Sequence, residues 1–243
     1  MSPPEVSIVV PAFNEEHSLA VLAAEIGEAM REAGRSHEIL FVDDGSTDGS
    51  LTVLQGLAAR DGRIRVLHLP SNCGQSAALA VGFRAASARV IVTLDADLQN
   101  DPADIPRLLA ELESCDVVSG IRVHRQDRWL RRVSSRVANR VRDWVIEDSI
   151  TDVGCSLKAY RAEFLRGIPT FHGMHRFLPA LVQMEGARVR EIAVHHRPRR
   201  HGRSKYTIRG RLPRVVVDLV AVWWMQRRSH SSRGSPHRSQ SRA

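Results

Sequence analysis

The 243-residue sequence has only three cysteines, Cys73, Cys115 and Cys155, scattered singly and never in a C-x-x-C spacing. That argues against a zinc framework or a disulfide scaffold and suits a reducing compartment. No apolar run approaches the roughly 20 residues that span a bilayer. The longest candidate, Val215 to Met225, is too short and contains Asp218. The N-terminus has neither a basic region nor an apolar signal core, so no secretion signal is expected. Two phosphate-binding motifs are also missing. The first apolar run, Val6 to Val10, leads into Pro11 rather than into G-x-G-x-x-G, and no G-x-x-x-x-G-K-[ST] occurs. Phosphate charge, if the protein handles any, must be met by a metal and by basic residues elsewhere. No internal repeat is present.

What is there is an ordinary globular composition, 43% hydrophobic and 26% charged, on a chain long enough for one sizeable domain. The net charge of +8 favours anionic partners, and much of the excess lies after about Arg122. Apolar runs at Val6–Val10, Glu38–Val42, Ile64–Leu69, Val90–Leu94 and Asp116–Gly120 alternate with helical patterns. The first of these places Leu19, Leu22, Ala23, Ile26, Met30 and Ala33 on one face and stops at Gly34. This alternation predicts an α/β domain with a mainly parallel sheet. Three of the strands end in polar or acidic residues: Asn14-Glu15, Asp43-Asp44, and Asp95 with Asp97. Open α/β sheets place their ligands along such strand ends.

Val90 to Pro102, VIVTLDADLQNDP, is the stretch around which the chain is organised. Asp95 and Asp97 lie two residues apart at a strand end and point the same way. Two carboxylates aimed at one spot repel unless a cation joins them, and Mg²⁺ or Mn²⁺ is the simplest partner. The other reading is a polar turn capping a helix that begins near Ala103. Further along, Arg122, Arg125, Arg128, Arg131, Arg132, Arg136, Arg140 and Arg142 punctuate a helical stretch. It is either a solvated basic face or a dock for a phosphate. Thr151 to Tyr160 reads as a turn and a short strand, Phe177 to Met184 as a short helix, and Val189 to His195 as a late strand. Arg197 to Tyr206 forms a basic, Gly-containing loop, a phosphate clamp or a surface loop. His172, His175, His195 and His196 lack a matching third ligand and read as surface or core residues. The last helix carries Trp223 and Trp224 between arginines, which suits a membrane interface and packing onto the domain equally. From Ser229 onward the chain is expected to be disordered.

The motifs VVPAFNEE, VDDGSTDGS, NCGQSAALAVG, TLDADLQNDP, DVVSGIR, LRRVSSRVAN, DVGCSLKAY and RRHGRSKY, in this order, resemble the family 2 glycosyltransferases of the GT-A fold. Within that family they are most similar to the polyprenyl-phosphate sugar synthases. The resemblance implies a single Rossmann-like GT-A domain over residues 1–206 with helices on both faces. Residues 207–228 would follow as an amphipathic helix and 229–243 as the tail. It implies that Pro11, Phe13, Glu15, Val42 and Asp44, with Asp43 beside them, hold the base and ribose of a UDP- or GDP-sugar. Asp95, Ala96, Asp97 and Gln99 match the site of the metal, Mg²⁺ or Mn²⁺, and of the sugar diphosphate. Arg199 and Lys205 match loop residues that close on the diphosphate. Arg122, Arg131 and Ser135 match positions that hold the acceptor's phosphate. The implied reaction is an inverting transfer to a polyprenyl phosphate at the cytoplasmic face of a membrane, with Asp97, Arg122, Arg131, Ser135 and Lys205 carrying it.

Three rivals are weighed against this. A hydroxyl acceptor on a polysaccharide or glycolipid would need a general base, and the stretch after Arg122 offers arginines instead. A non-catalytic sugar-nucleotide-binding protein would not need Asp95, Asp97, Arg199 and Lys205 together. Nucleic acid is not expected as a partner, because the acidic strand ends would repel it.

Overall fold

The computed structural model describes residues 3–122, 150–198 and 212–228, the last segment with side chains from residue 217 onward. Arg131 and Ser135, Arg199 and Lys205, and the segment 229–243 lie outside the described residues.

The described chain forms β1 (Val6–Ala12), α1 (Leu19–Glu32), β2 (His37–Asp43), α2 (Ser50–Arg60), β3 (Ile64–His68), α3 (Gln75–Ala85) and β4 (Val90–Thr93). Then follow α4 (Ile105–Glu111), β5 (Val117–Arg122), β6 (Lys158–Arg161), α5 (Leu178–Met184), β7 (Val189–Val194) and α6 (Leu212–Arg228). The strands make one seven-stranded sheet in the order β3-β2-β1-β4-β6-β5-β7. All neighbours pair parallel except β6, which runs antiparallel to both β4 and β5. The mainly parallel α/β sheet expected from the sequence is therefore present, with one reversed strand inserted in its middle.

Helices cover both faces because alternate residues of each strand are apolar in both directions. Ile8, Val10, Ile39, Phe41 and Val92 pack against α1, α2 and α4 through Leu22, Ile26, Leu54, Ile105 and Leu108. Val9, Leu40, Val42, Ile91 and Tyr160 pack against α3, α5 and α6 through Leu79, Leu181 and Val222. Gly82 lets α3 approach closely, since a Cβ there would lie 2.3 Å from a Val9 methyl.

Two features of the sheet position the site. The order reverses between β1 and β4: the chain builds outward through β2 and β3, then crosses back to β4. Parallel sheets open a crevice at such a point, beyond the strands' C-terminal ends. Here β1 continues past Val10 through Pro11 to Ala12. The Val9 carbonyl accepts from Leu94 on the β4 side. Pro11, two residues on, faces the same side, where β4 has already left the ladder after Thr93. A proline without an N–H is tolerated there. The second feature is β6. Lys158, its first residue, lies opposite Thr93 on one side and Ser119 on the other. The turn leading into β6 is thereby laid across the ends of β4 and β5.

Candidate active site

The loops after β1 and β2 are stitched into one wall. Asn14, in the left-handed region at φ 53°, takes a hydrogen bond on Oδ1 from the Thr47 amide at 2.7 Å. The Asn14 amide donates to Ser46 Oγ, the Glu15 amide to Ser50 Oγ, and the Gly49 amide to Glu16 Oε2. Pro11, Phe13 and Glu15 are partly exposed along this wall. Gly45, at φ 68°, packs so closely on Ser71 that a Cβ would lie 2.5 Å from its carbonyl carbon.

Asp43 and Asp44 at the end of β2 are both buried. Asp43 Oδ2 meets His68 Nδ1 at 2.8 Å, while its Oδ1 has no hydrogen-bond partner. Asp44 accepts the amides of Cys73 and Gly74 at 2.8 and 2.9 Å, which fixes the approach to α3. Burial raises the Asp44 pKa, and these two amides work against the rise. Val42 and Ala96 have buried side chains in the two cores, so any contact they make with a nucleotide uses the backbone.

Asp95 and Asp97 follow β4 and are partly exposed. Leu98, at φ 61°, turns the chain sharply, and Asp97 Oδ1 accepts the Gln99 amide at 3.1 Å. Gln75, at the start of α3, donates from Nε2 to Asp95 Oδ1 at 2.7 Å. Burial, reinforced by the Asp97 carboxylate, pushes Asp95 up to about 6. The Ser156 hydroxyl and the charges of Lys158 and Arg122 act in the opposite direction. A pair of carboxylates held this way has a standing demand for positive charge. Their oxygens suit a hard divalent cation such as Mg²⁺ or Mn²⁺. Among the described residues no group of three or more His, Cys, Asp or Glu could cage a metal. A cation at Asp95 and Asp97 would have to complete its shell with water and substrate oxygens.

At the end of β5, Arg122 forms a two-pronged pair with buried Asp152, Nε and Nη2 donating at 2.8 and 2.7 Å, and its amide donates to the same carboxylate at 3.2 Å. Gly154 lies directly against Arg122 Nη2. Arg197, at the entrance to the basic loop, is tied to Glu25 and Asp101, and its amide donates to the Gln99 carbonyl at 2.7 Å. The first residue of that loop is thus anchored beside the Asp97–Gln99 turn. Of the histidines, His175 meets Ser76 and His195 meets Asp104.

Four residues with a place in this cluster had no role assigned from sequence: Gln75, Asp152, Ser156 and Lys158. All fall inside the motifs NCGQSAALAVG and DVGCSLKAY. What brings the last three to Asp95 is the antiparallel insertion of β6, which no local pattern announces, whereas Gln75 reaches it from the start of α3.

Residues 7–168 match the family described as glycosyl transferase family 2. The dodecaprenyl-phosphate galacturonate synthase of Rhizobium johnstonii is 41% identical over 229 residues, which cover 92% of this chain and 68% of that protein. Among solved structures, the Mycobacterium tuberculosis glucosyl-3-phosphoglycerate synthase, in complex with Mn²⁺, UDP-glucose and phosphoglyceric acid, superposes with a TM-score of 0.66 at 19% identity. That match covers 92% of this chain and 79% of that one. A Pyrobaculum calidifontis mannosyltransferase in complex with GDP-Man and Mn²⁺ gives 0.62 at 18% identity, over 97% of this chain and 77% of that one. These structural likenesses confirm the GT-A fold. With two thirds of its length inside the family match and a curated relative along nearly all of it, the chain belongs to glycosyl transferase family 2.

Proposed function

We propose that this glycosyltransferase moves a sugar from a nucleoside diphosphate sugar to the phosphate of a polyprenyl phosphate. The observation that carries the reading is the meeting of Asp95 and Asp97 at the end of β4 with Arg122 at the end of β5, across the turn that enters β6. One set of groups suits a cation and a diphosphate, and the other suits an anionic acceptor. The relative's name supplies the acceptor class, a polyprenyl phosphate, and makes nucleotide-linked galacturonate the first donor to try.

In this reading the wall of Pro11, Phe13 and Glu15, with Val42, Asp43 and Asp44, holds the base and ribose of a UDP- or GDP-sugar. Asp95 and Asp97, with Gln99 beside them, would hold Mg²⁺ or Mn²⁺, as suits their oxygen donors. Bound there, the cation supplies positive charge to the leaving diphosphate. Arg199 and Lys205 add charge to the same diphosphate. Arg122, Arg131 and Ser135 bring up the acceptor. A phosphate monoester has a second pKa near 6 and is largely dianionic at neutral pH. Its oxygen attacks the anomeric carbon without a base removing a proton first. The chain's task is to hold that dianion in line, and a single displacement inverts the anomeric configuration.

The protein would work at the cytoplasmic face of a membrane, held peripherally. Among the described residues no helix is long and apolar enough to cross a bilayer. On α6, Leu219, Val222 and Met225 pack into the core, while Val217, Val220 and Trp224 remain exposed at 66%, 55% and 54%. Arg227 and Arg228 stack on the rings of Trp223 and Trp224 at 4.4 and 5.4 Å. Packing uses one side of the helix, and the opposite, outward side with its apolar residues and basic end suits an anionic interface.

The test is transfer from a panel of UDP- and GDP-sugars to polyprenyl phosphate and, in parallel, to the free polyprenol. Transfer to the phosphate alone is expected. Equal rates with both would overturn the acceptor assignment in favour of a hydroxyl acceptor. Donor binding with no transfer to either would favour a sugar-nucleotide-binding protein.

A further inference from the structure

Lys158 is 3% exposed and opens the antiparallel strand between β4 and β5. Its ammonium points back into the turn it has just left, donating to the Val153 carbonyl at 3.3 Å and, more closely, to the Cys155 carbonyl. That turn carries two side chains that touch the site from opposite directions. Asp152 grips the Arg122 fork. Ser156 accepts from Asn100 Nδ2 at 2.6 Å, its hydroxyl acts on Asp95, and its carbonyl accepts from Thr93 Oγ1 at 2.7 Å. The charge of Lys158 is felt by both Asp95 and Asp152. A buried ammonium is expensive to desolvate unless its donors are used, and here backbone carbonyls use them.

We propose that Lys158 is a positioning residue: by tying the Val153 and Cys155 carbonyls together it fixes the Asp152–Ser156 turn as one rigid piece, which sets Asp95 on the donor side and Arg122 on the acceptor side at once. The proposal rests on the polyprenyl-phosphate reading for the identity of the two sides. A neutral side chain of similar length would fill the space and leave both carbonyls without a buried donor. The turn would then loosen at both ends together. Misplacement of reacting groups by about 1 Å lowers rates by roughly 100-fold, and loss of a residue supporting metal ligands weakens metal binding by about 10- to 100-fold.

The experiment compares Lys158→Met, Lys158→Arg, Ser156→Ala and Asp152→Asn with the wild type. Calorimetry measures Mn²⁺-dependent UDP binding without acceptor, and initial rates give kcat and the KM for polyprenyl phosphate. Circular dichroism melts identify the temperature range in which each variant is folded. Lys158→Met is expected to weaken UDP–Mn²⁺ binding about 10-fold or more, to raise the lipid-phosphate KM, and to lower kcat about 100-fold. Lys158→Arg keeps a cationic donor and should recover most of the UDP–Mn²⁺ affinity. Ser156→Ala should weaken the donor side alone, and Asp152→Asn the acceptor side alone. If Lys158→Met does not fold, Lys158→Gln, which offers a shorter neutral donor from the same position, is measured in its place with the same expected and overturning results. Crossed effects, or no effect, of Ser156→Ala and Asp152→Asn would show that the turn does not divide its work in this way. A folded Lys158→Met with both affinities intact would overturn the proposal. Lack of transfer to polyprenyl phosphate by the wild type would instead refute the functional reading, and the UDP–Mn²⁺ series would still report on Lys158.

Discussion

Replacing Asp95 with asparagine should abolish transfer and, in the absence of metal, make the protein more stable at neutral pH. The Asp95 carboxyl is pushed from 3.8 up to about 6 by burial first and by the Asp97 carboxylate second. That difference corresponds to about 3 kcal/mol against the charged form. The folded-state value lies above the unfolded one, so between these two values the folded protein holds more protons. Stability therefore falls as pH rises through that window, and above about pH 6 the whole penalty is present. Asparagine has the same shape, keeps an oxygen for the Gln75 amide and carries no charge. Because its own NH₂ must also be satisfied, the gain should be about 1–3 kcal/mol at about pH 7.5 and should shrink towards zero near pH 4. Urea unfolding followed by circular dichroism, in EDTA at both pH values, measures it. An asparagine variant no more stable than wild type at neutral pH, or a gain that does not shrink in acid, would refute the reasoning that a desolvated, repelled carboxylate sits at the end of β4. Stabilisation together with loss of transfer is what a site residue held in unfavourable surroundings for function should show.

Lys205→Ala should lower turnover about 100-fold while circular dichroism stays unchanged, as loss of a charge on the departing diphosphate does; steady-state kinetics with saturating donor check it. Val220→Ser with Trp224→Ala should reduce flotation with anionic liposomes and leave the thermal midpoint nearly unchanged, because both side chains lie on the exposed side of α6. The liposome binding of the wild type should itself fall with added salt, since Arg227 and Arg228 are its charged part.

The first four strands and the helices between them were legible because each strand is a short apolar run and each connecting helix has a single apolar stripe. The strand-end residues were legible for the same reason, since polar groups directly after buried strands have few places to go. The β1 strand runs on through Pro11 because β4 is no longer beside it there, a fact about a neighbour 80 residues away in sequence. Lys158 shows the same limit more sharply. In KAYR the lysine looks like an ordinary surface residue, and it is buried only because β6 slips between β4 and β5. The α6 helix allowed two readings because it has two apolar sides, and tertiary packing decides which side turns inward. By resemblance Asp44 is a nucleotide contact. The structure adds a second task, receiving the Cys73 and Gly74 amides, that only the fold could bring to it.

The charges at the entrance to β6 also say where acceptor selectivity must come from. Asp95, Asp97 and Asp152 stand there with Lys158 and Arg122, and the Arg122 fork is already engaged by Asp152. A diphosphate and a dianionic acceptor would bring further negative charge to a place where Arg122 is already paired with Asp152 and Lys158 with the Val153 and Cys155 carbonyls. A divalent cation can offset the diphosphate, because Asp95 and Asp97 lie together at one strand end. It cannot also screen an acceptor phosphate that approaches from the β5 side. Under the proposed reaction that second task falls to Arg131 and Ser135 together with Arg122, while Arg199 and Lys205 add their charge to the diphosphate. Arg197 is anchored to Glu25 and Asp101, and its amide donates to the Gln99 carbonyl, so the start of the stretch that carries Arg199 and Lys205 is fixed beside the Asp97–Gln99 turn. The +8 charge of the chain is then an asset for binding two anions at a site whose fixed strand ends are acidic.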